Sequence, residues 1–249
     1  MPWVETESLS FVARHDSANA ASAGRMLDEL ERFRSRLERM FDVVPGDVAV
    51  VVHPRAPMLS LAHPWLPLAR MLSAPAGRRY YAGSFGRREI HVLAAEELQK
   101  RASGSAGSRE ALLLSPLHEY AHLVLGANNP ALPPPFTPAT FTRYARLAWL
   151  SEGSATHFAG QVPHMRAAVV RRLREGDRPA FPPAARDALV LGGTVFQMLE
   201  AEMGQEACVR LALSRDRRAA TAGLEDAFQR PLAEFGRDWL AYVEAFSAT

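Results

Sequence analysis

The chain of 249 residues is poor in cysteine, in lysine and in long apolar stretches. These shortages limit the classes of structure and function that the chain can have. The single cysteine, Cys208, excludes an internal disulfide framework, because a bridge needs two thiols. Lys100 is the only lysine, so arginine carries almost all of the positive charge. No apolar run reaches the roughly 20 residues that a membrane-spanning helix needs, and we therefore expect no membrane insertion.

Net charge is nearly absent as well. A formal charge of +2 at pH 7 provides no strong field for nucleic acid or for an anionic membrane surface, so we expect neither as a partner. Residues Met1 to Glu5 have neither the basic start nor the apolar core of a signal peptide, which favours a cytoplasmic location. An apolar content of 48% with 22% charged residues is typical of a globular protein.

Apolar periodicity predicts an α+β fold. Residues 24–41 place apolar side chains at helical spacing and charged ones on the opposite face, as expected of a helix that covers a core. The run Val48 to Val52 predicts a strand buried on both faces, and Leu9 to Ala13 predicts a shorter strand. Tyr80–Ser84 and Glu89–Leu93 predict a pair of strands, after which almost every segment is helical. A small mixed sheet with helices is therefore expected first, and a mostly helical half after it.

The strongest chemical signal is His118, Glu119 and His122, set within a long apolar run. On a helix, residues four apart share a face, with Cβ atoms roughly 5–6 Å from each other, so both imidazoles can bind one metal ion. Glu119 lies about a third of a turn from His118, where a carboxylate can take a proton from water. The alternative is a helix with two core histidines, which would then need other polar partners in an apolar setting.

Glu152 is the candidate for a third ligand. Ser151 is interpreted as a helix N-cap, which would place Glu152 in the first turn of a new helix. A glutamate at that position is also favoured simply by the helix dipole. Because two histidines already call for a third protein donor, we favour Glu152 as a ligand.

His118, Glu119 and His122, followed by Trp149-Leu150-Ser151-Glu152-Gly153, resemble the gluzincin branch of zinc metallopeptidases, and especially the bacterial peptidase-MA-like proteins. The resemblance runs from about Tyr81 to Phe246. It implies a zincin-like core that holds one Zn²⁺ per chain on His118, His122 and Glu152. It also implies that Glu119 is the catalytic base and that peptides or proteins are the substrate.

In gluzincins a sheet edge beside the metal helix pairs with the backbone of the substrate. The resemblance places that edge at Ala82, Gly83 and Ser84, and the alternative is a core hairpin without an exposed edge. We expect one catalytic domain overall. Its N-terminal α/β subdomain, residues 1–105, carries this edge, and its helical metal-binding subdomain comprises residues 106–249.

The chain departs from the family pattern at two points. Thermolysin-like gluzincins have an aspartate four residues after the ligand glutamate, whereas Thr156 stands there. A backbone carbonyl or His157 is the expected replacement as partner of a ligand histidine. The family's oxyanion-stabilising Tyr or His is also missing downstream, and the substitutes that we consider are Tyr81, Tyr144, His157 and His164. Tyr120 is expected to pack in the core, and His53, His63 and His91 have no ligand spacing.

The sequence therefore predicts a zinc-dependent metallopeptidase. The alternative is a zinc-binding member of the same fold that is weakly active or inactive and serves as a binding or regulatory module. A helical scaffold without metal is a further alternative.

Overall fold

The computed structural model describes residues 3–134, 138–214 and 221–248. Its strands form one mixed sheet in the order β1-β2-β3-β5-β4. The three central strands run parallel, and each edge strand is antiparallel to its neighbour. The strands are β1 (Trp3–Glu7), β2 (Phe11–Asp16), β3 (Val48–His53), β4 (Gly83–Phe85) and β5 (Glu89–Leu93).

Helices make up most of the rest, which confirms the predicted α+β class. None of the described helices is long and apolar enough to cross a membrane. The helices are α1 (Ala20–Leu37), α2 (Ala56–Ala62), α3 (Trp65–Leu72), α4 (Ala95–Arg101), α5 (Ser108–Leu113), α6 (Ser115–Asn128), α7 (Pro138–Phe158), α8 (Arg166–Leu173), α9 (Ala188–Met203), α10 (Gln205–Ala212), α11 (Ala222–Phe228) and α12 (Leu232–Ala248).

Helix α6 lies at the centre of the molecule, in contact with α1, β4, β5 and α7. Every residue from Ser115 to Leu125 is buried, as expected of a helix that is covered on all sides. Tyr120 packs against Phe11 and Phe33 and donates a hydrogen bond to the carbonyl of Pro45, so it belongs to the core, as predicted. Helix α6 therefore holds its polar side chains inside the protein.

The N-terminal and C-terminal halves share one core. Buried apolar side chains from Phe11 to Val243 form a single continuous cluster that includes the inner faces of the sheet, α6, α7 and α9. The division at residue 105 therefore separates the sheet-containing part of the chain from the helical part but does not separate two cores.

Two local predictions are corrected. The sheet has a further strand, β1, which the sequence did not indicate, and β2 begins at Phe11 rather than Leu9. Ser151 is not an N-cap, because α7 begins at Pro138 and continues through Ser151 and Glu152. Its irregular point is Leu147, where φ of −106° and ψ of 15° mark a kink between two helical halves. Glu152 thus lies inside the second half of a kinked helix.

Helices α7 and α9 touch at their backbones, where Gly153 faces Gly192. A Cβ atom built on Gly192 would lie 2.7 Å from the carbonyl oxygen of Trp149 and 2.8 Å from the Cα atom of Gly153. Real Cβ atoms do not approach backbone atoms so closely, so this crossing accepts no side chain. The contact fixes the half of α7 that carries Glu152.

We expect Gly192→Ala to destabilise the protein by about 1–3 kcal/mol, because the two helices must move apart to admit the methyl group. Gly24→Ala is the control, since no atom lies within 4 Å of a Cβ at that position of α1. It should be stabilising by about 0.5–1 kcal/mol through helix propensity. Urea unfolding of both variants measures the difference, and equal stabilities would contradict the close helix crossing.

Candidate metal centre

Three donor atoms meet between α6 and α7. Nε2 of His118 lies 3.1 Å from Nε2 of His122 and 3.3 Å from Oε2 of Glu152. Nε2 of His122 lies 3.6 Å from Oε1 of the same carboxylate. A tetrahedral zinc ion with bonds of about 2.0–2.1 Å keeps neighbouring ligand atoms about 3.3 Å apart. The residues present therefore fit a metal ion, and among the described residues they are the one group of this kind.

Burial makes this cluster costly without a cation. His118, His122 and Glu152 are exposed by 5%, 1% and 5%, respectively. Burial opposes ionisation of Glu152, but the charge of His122 and hydrogen bonds with both histidines outweigh it and hold the pKa of Glu152 well below its ordinary value. Burial likewise lowers the pKa of His122, whereas the hydrogen bond and charge of Glu152 overcome burial and raise that of His118. In the metal-free protein, Glu152 therefore stays ionised and stabilises the positively charged form of His118 beside it.

Each histidine has a hydrogen-bond partner on its other ring nitrogen. Nδ1 of His118 lies 2.8 Å from Oε1 of Gln161, and Nδ1 of His122 lies 3.3 Å from Oγ of Ser151. Both Nε2 atoms therefore face the metal position. The expected partners, a backbone carbonyl or His157, do not fill this role, because the side chains of Gln161 and Ser151 do. Thr156, which stands where the family has an aspartate, has a buried Oγ1 without a hydrogen bond.

Glu119 lies against strand β4. A Cβ atom on Gly83 would be 2.6 Å from Cγ of Glu119, so only glycine allows the carboxylate to lie here. Burial, with the charge of Glu152 added, raises the pKa of Glu119 to about 8, although His118 opposes the shift. Without a metal ion, burial therefore favours the protonated form of Glu119.

Two tyrosines complete the surroundings of Glu152. The hydroxyl of Tyr144 donates a hydrogen bond to Oε1 of Glu152. Burial and the charge of Glu152 raise the pKa of Tyr144 well above its ordinary value, and the same two causes raise that of Tyr81. Both phenols therefore remain neutral hydrogen-bond donors close to the ligand carboxylate.

The other two substitutes for the oxyanion residue lie elsewhere. His157 packs against Phe158 and Phe196 and stands 4.0 Å from Glu200. His164 lines a surface groove of about 870 Å³ next to Gly107 and α8. Of the four candidates, the structure brings Tyr144 and Tyr81 to the site and leaves His157 and His164 outside it.

The expected substrate edge lies beside the metal centre. Gly83 and Ser84 belong to β4, the last strand of the sheet, and Ala82 precedes it. All three are buried, with α6 on one face of β4. The ring of Phe85 stacks on His122 with centroids 4.1 Å apart, so β4 contacts both Glu119 and His122. Pairing with a substrate remains a prediction.

A second histidine cluster lies on the opposite face of the sheet edge. Nε2 of His53 is 3.0 Å from Nδ1 of His91, and the ring of His63 meets that of His91 at 4.2 Å. His63 Nδ1 lies 3.3 Å from Oγ of Ser84. The donor atoms of these three rings do not converge as those of His118, His122 and Glu152 do. Burial first, and then the charge of His91, lowers the pKa of His53 and of His63 to about 4.

No protein family, no curated protein and no solved structure matches the chain. What is known of the site therefore comes from its own geometry. Gln161 and Ser151 were missed as partners of the histidines. No local pattern marks Gln161, which lies in the turn after α7, and Ser151 was assigned to a helix cap instead.

We expect one equivalent of Zn²⁺ to bind per chain, and His122→Ala and Glu152→Ala each to abolish stoichiometric binding, because two donors alone hold the ion weakly. His157→Ala and His164→Ala are matched controls that should retain the metal. Metal content after dialysis against trace zinc measures this. Full occupancy in Glu152→Ala would remove that residue from the ligand set.

Acid should destabilise the protein through the second histidine cluster. Unfolded histidine has a pKa of about 6.5, so the unfolded chain binds protons that folded His53 and His63 exclude until about pH 4. The contribution of these two neutral histidines to the free energy of unfolding is therefore complete above about pH 6.5 and is lost as the pH falls toward 4. We expect His63→Phe to flatten this part of a stability profile from urea unfolding. His164→Phe is the control, and an equal effect of both would contradict the assignment.

Proposed function

We propose that the protein is a zinc-dependent metallopeptidase with His118, His122 and Glu152 as ligands. The observation that carries this proposal is the meeting of three buried donor atoms at the separations of a tetrahedral metal site, with a second buried carboxyl group, that of Glu119, beside them. Two nitrogens and one carboxylate oxygen form a donor set that suits zinc in catalytic sites, where one position stays open. The resemblance to gluzincins supports the same assignment.

Zinc in such a site polarises a carbonyl group and makes water more acidic. Glu119 accepts the proton of the attacking water and delivers it to the nitrogen of the leaving amine. Burial favours the protonated form of Glu119, which helps it to donate the proton, and the positive charge of a bound metal ion would favour the carboxylate that accepts the proton. Gly83 keeps the carboxylate in place by allowing it to lie against the backbone of β4.

Tyr144 is the residue that we assign to stabilisation of the developing oxyanion. It is a neutral donor whose hydroxyl already points at a metal ligand, and Tyr81 lies in the same electrostatic environment. A preorganised donor of this kind typically contributes 10²–10³-fold in rate. A peptide oxygen that approaches the centre would take the hydrogen bond that Glu152 Oε1 now receives.

Substrate entry requires a movement, since all four side chains of the centre are less than one-tenth exposed. We place it at the kink of α7, because Leu147 separates the half that carries Tyr144 from the half that carries Glu152. The second half is held by the contact of Gly153 with Gly192, which leaves the first half as the part that moves. An extended peptide would then reach the edge formed by Ala82, Gly83 and Ser84.

The near-complete burial of the centre is also what a zinc-binding module without catalysis would show. Such a module has no use for a base, whereas Glu119 places a second buried carboxyl group next to His118 on the same helix. We therefore favour the peptidase and keep the module as the second candidate.

Cleavage of a mixture of random-sequence peptides by the zinc-loaded protein tests the proposal. We expect Glu119→Gln to bind one zinc and to lose about 10²–10⁴-fold in cleavage rate, because the amide cannot accept the proton. Glu110→Gln, an exposed glutamate of α5, is the control and should behave as the wild type. Bound zinc without cleavage by any of the three proteins would favour the binding module. Absence of zinc from all three would contradict both the peptidase and the module.

A further inference from the structure

Gln161 lies in the turn after α7, nine residues beyond Glu152, and is buried. Its amide makes two hydrogen bonds. Nε2 donates to the carbonyl oxygen of Ala111 at 2.7 Å, and Oε1 lies 2.8 Å from Nδ1 of His118. One side chain thus joins α5, the turn after α7 and the metal helix α6.

The partner on α5 determines which way the amide faces. A carbonyl oxygen only accepts hydrogen bonds, so the NH₂ group must face Ala111 and the oxygen must face His118. The acceptor is available because Ala111 lies in the last turn of α5, where carbonyl groups lack partners within the helix. The orientation of the amide is therefore fixed by the backbone and does not depend on a metal.

An amide oxygen that faces Nδ1 of His118 requires a proton on that nitrogen. With a metal ion bound, this ring would be neutral and would carry its lone pair on Nε2, the atom that lies 3.1 Å from Nε2 of His122 and 3.3 Å from Glu152. We infer that Gln161 is a positioning residue, which holds His118 in the tautomer and rotamer that bind metal. This inference rests on the proposed metal centre.

The charge of the partner matters as much as its position. A carboxylate on Nδ1 makes a histidine more basic and strengthens its bond to metal, whereas an amide carries no net charge. Ser151, the partner of His122, is neutral as well. With neutral partners on both histidines, Glu152 is the one anionic ligand in the described part of the chain. The centre should therefore hold zinc less tightly, and leave it more electrophilic, than one with carboxylate partners.

Gln161→Met removes both hydrogen bonds at nearly constant volume. We expect the zinc affinity, measured by competition with a chromophoric chelator, to fall by about 10–100-fold, the typical effect of losing such a partner. Gln197→Met is the matched control, because this glutamine of α9 has a buried Oε1 without a hydrogen-bond partner and should leave the affinity unchanged. Wild-type affinity in Gln161→Met would overturn the inference.

The tautomer of His118 gives a readout that needs neither metal nor activity. In alkaline solution, the single ring proton of metal-free His118 is shared between Nδ1, which faces Gln161, and Nε2, which faces Glu152. Nitrogen NMR should therefore show a larger fraction of the Nδ1–H tautomer in the wild type than in Gln161→Met. An equal fraction in the two proteins would contradict the positioning role. If the wild type binds no zinc, the proposed function fails, but this measurement still decides what Gln161 does.

Gln161→Glu separates orientation from simple hydrogen bonding and keeps the test open should Gln161→Met fail to fold. An ionised carboxylate cannot donate to Ala111 and would place an oxygen against that carbonyl. We therefore expect zinc affinity below that of the wild type at neutral pH. Affinity equal to or above that of the wild type would show that an acceptor on Nδ1 alone is enough and would overturn the role of the amide.

Discussion

The structure depends on the cost of burying two imidazoles and two carboxyl groups. Three of them, His118, Glu119 and His122, lie on α6, and the fourth, Glu152, lies on α7. Polar groups in a low-dielectric interior are tolerated only when each has a partner, and charged groups only when they are compensated. Glu152 and Ser151 of α7 and Gln161 of the turn after it are hydrogen-bond partners of the two histidines, and the backbone of β4 lies against Glu119.

Three glycines, at two points of close contact, make this arrangement possible without contributing any chemistry. Gly153 sits next to Glu152 in the sequence and opposite Gly192 in space, so the backbone contact between α7 and α9 fixes the carboxylate to within a small displacement. Gly83 of β4 likewise leaves the space in which the side chain of Glu119 lies. Since a misplacement of 1 Å can reduce a rate by orders of magnitude, close backbone approach is an effective way to hold a site. The glycines position the carboxylates because they exclude side chains at two points.

The parts that the sequence predicted are those in which chemistry and spacing are local. His118, Glu119 and His122 share one helix, so the period of the helix alone brings them together. Glu152 needed a second motif, and its ligand role was favoured only because two histidines lacked a third donor. Ser151 was misassigned for a physical reason: capping preference is worth about 1 kcal/mol, and continuation of α7 through a packed interface outweighs it. The role of Gln161 could not be predicted from the sequence, because it depends on a hydrogen bond to the carbonyl of Ala111, 50 residues earlier in the chain.

The balance of donors at the centre favours chemistry over a purely structural role. A structural zinc site is closed by four protein ligands, whereas three donor atoms converge in the described residues. Tyr144 donates a hydrogen bond to Glu152, and Glu119 lies buried against Gly83. A site that only stabilised the fold would gain nothing from burying a second carboxyl group, which costs free energy unless it is compensated. Under the proposed function, the burial of Glu119 in the space that Gly83 leaves open is explained by the proton that it would carry.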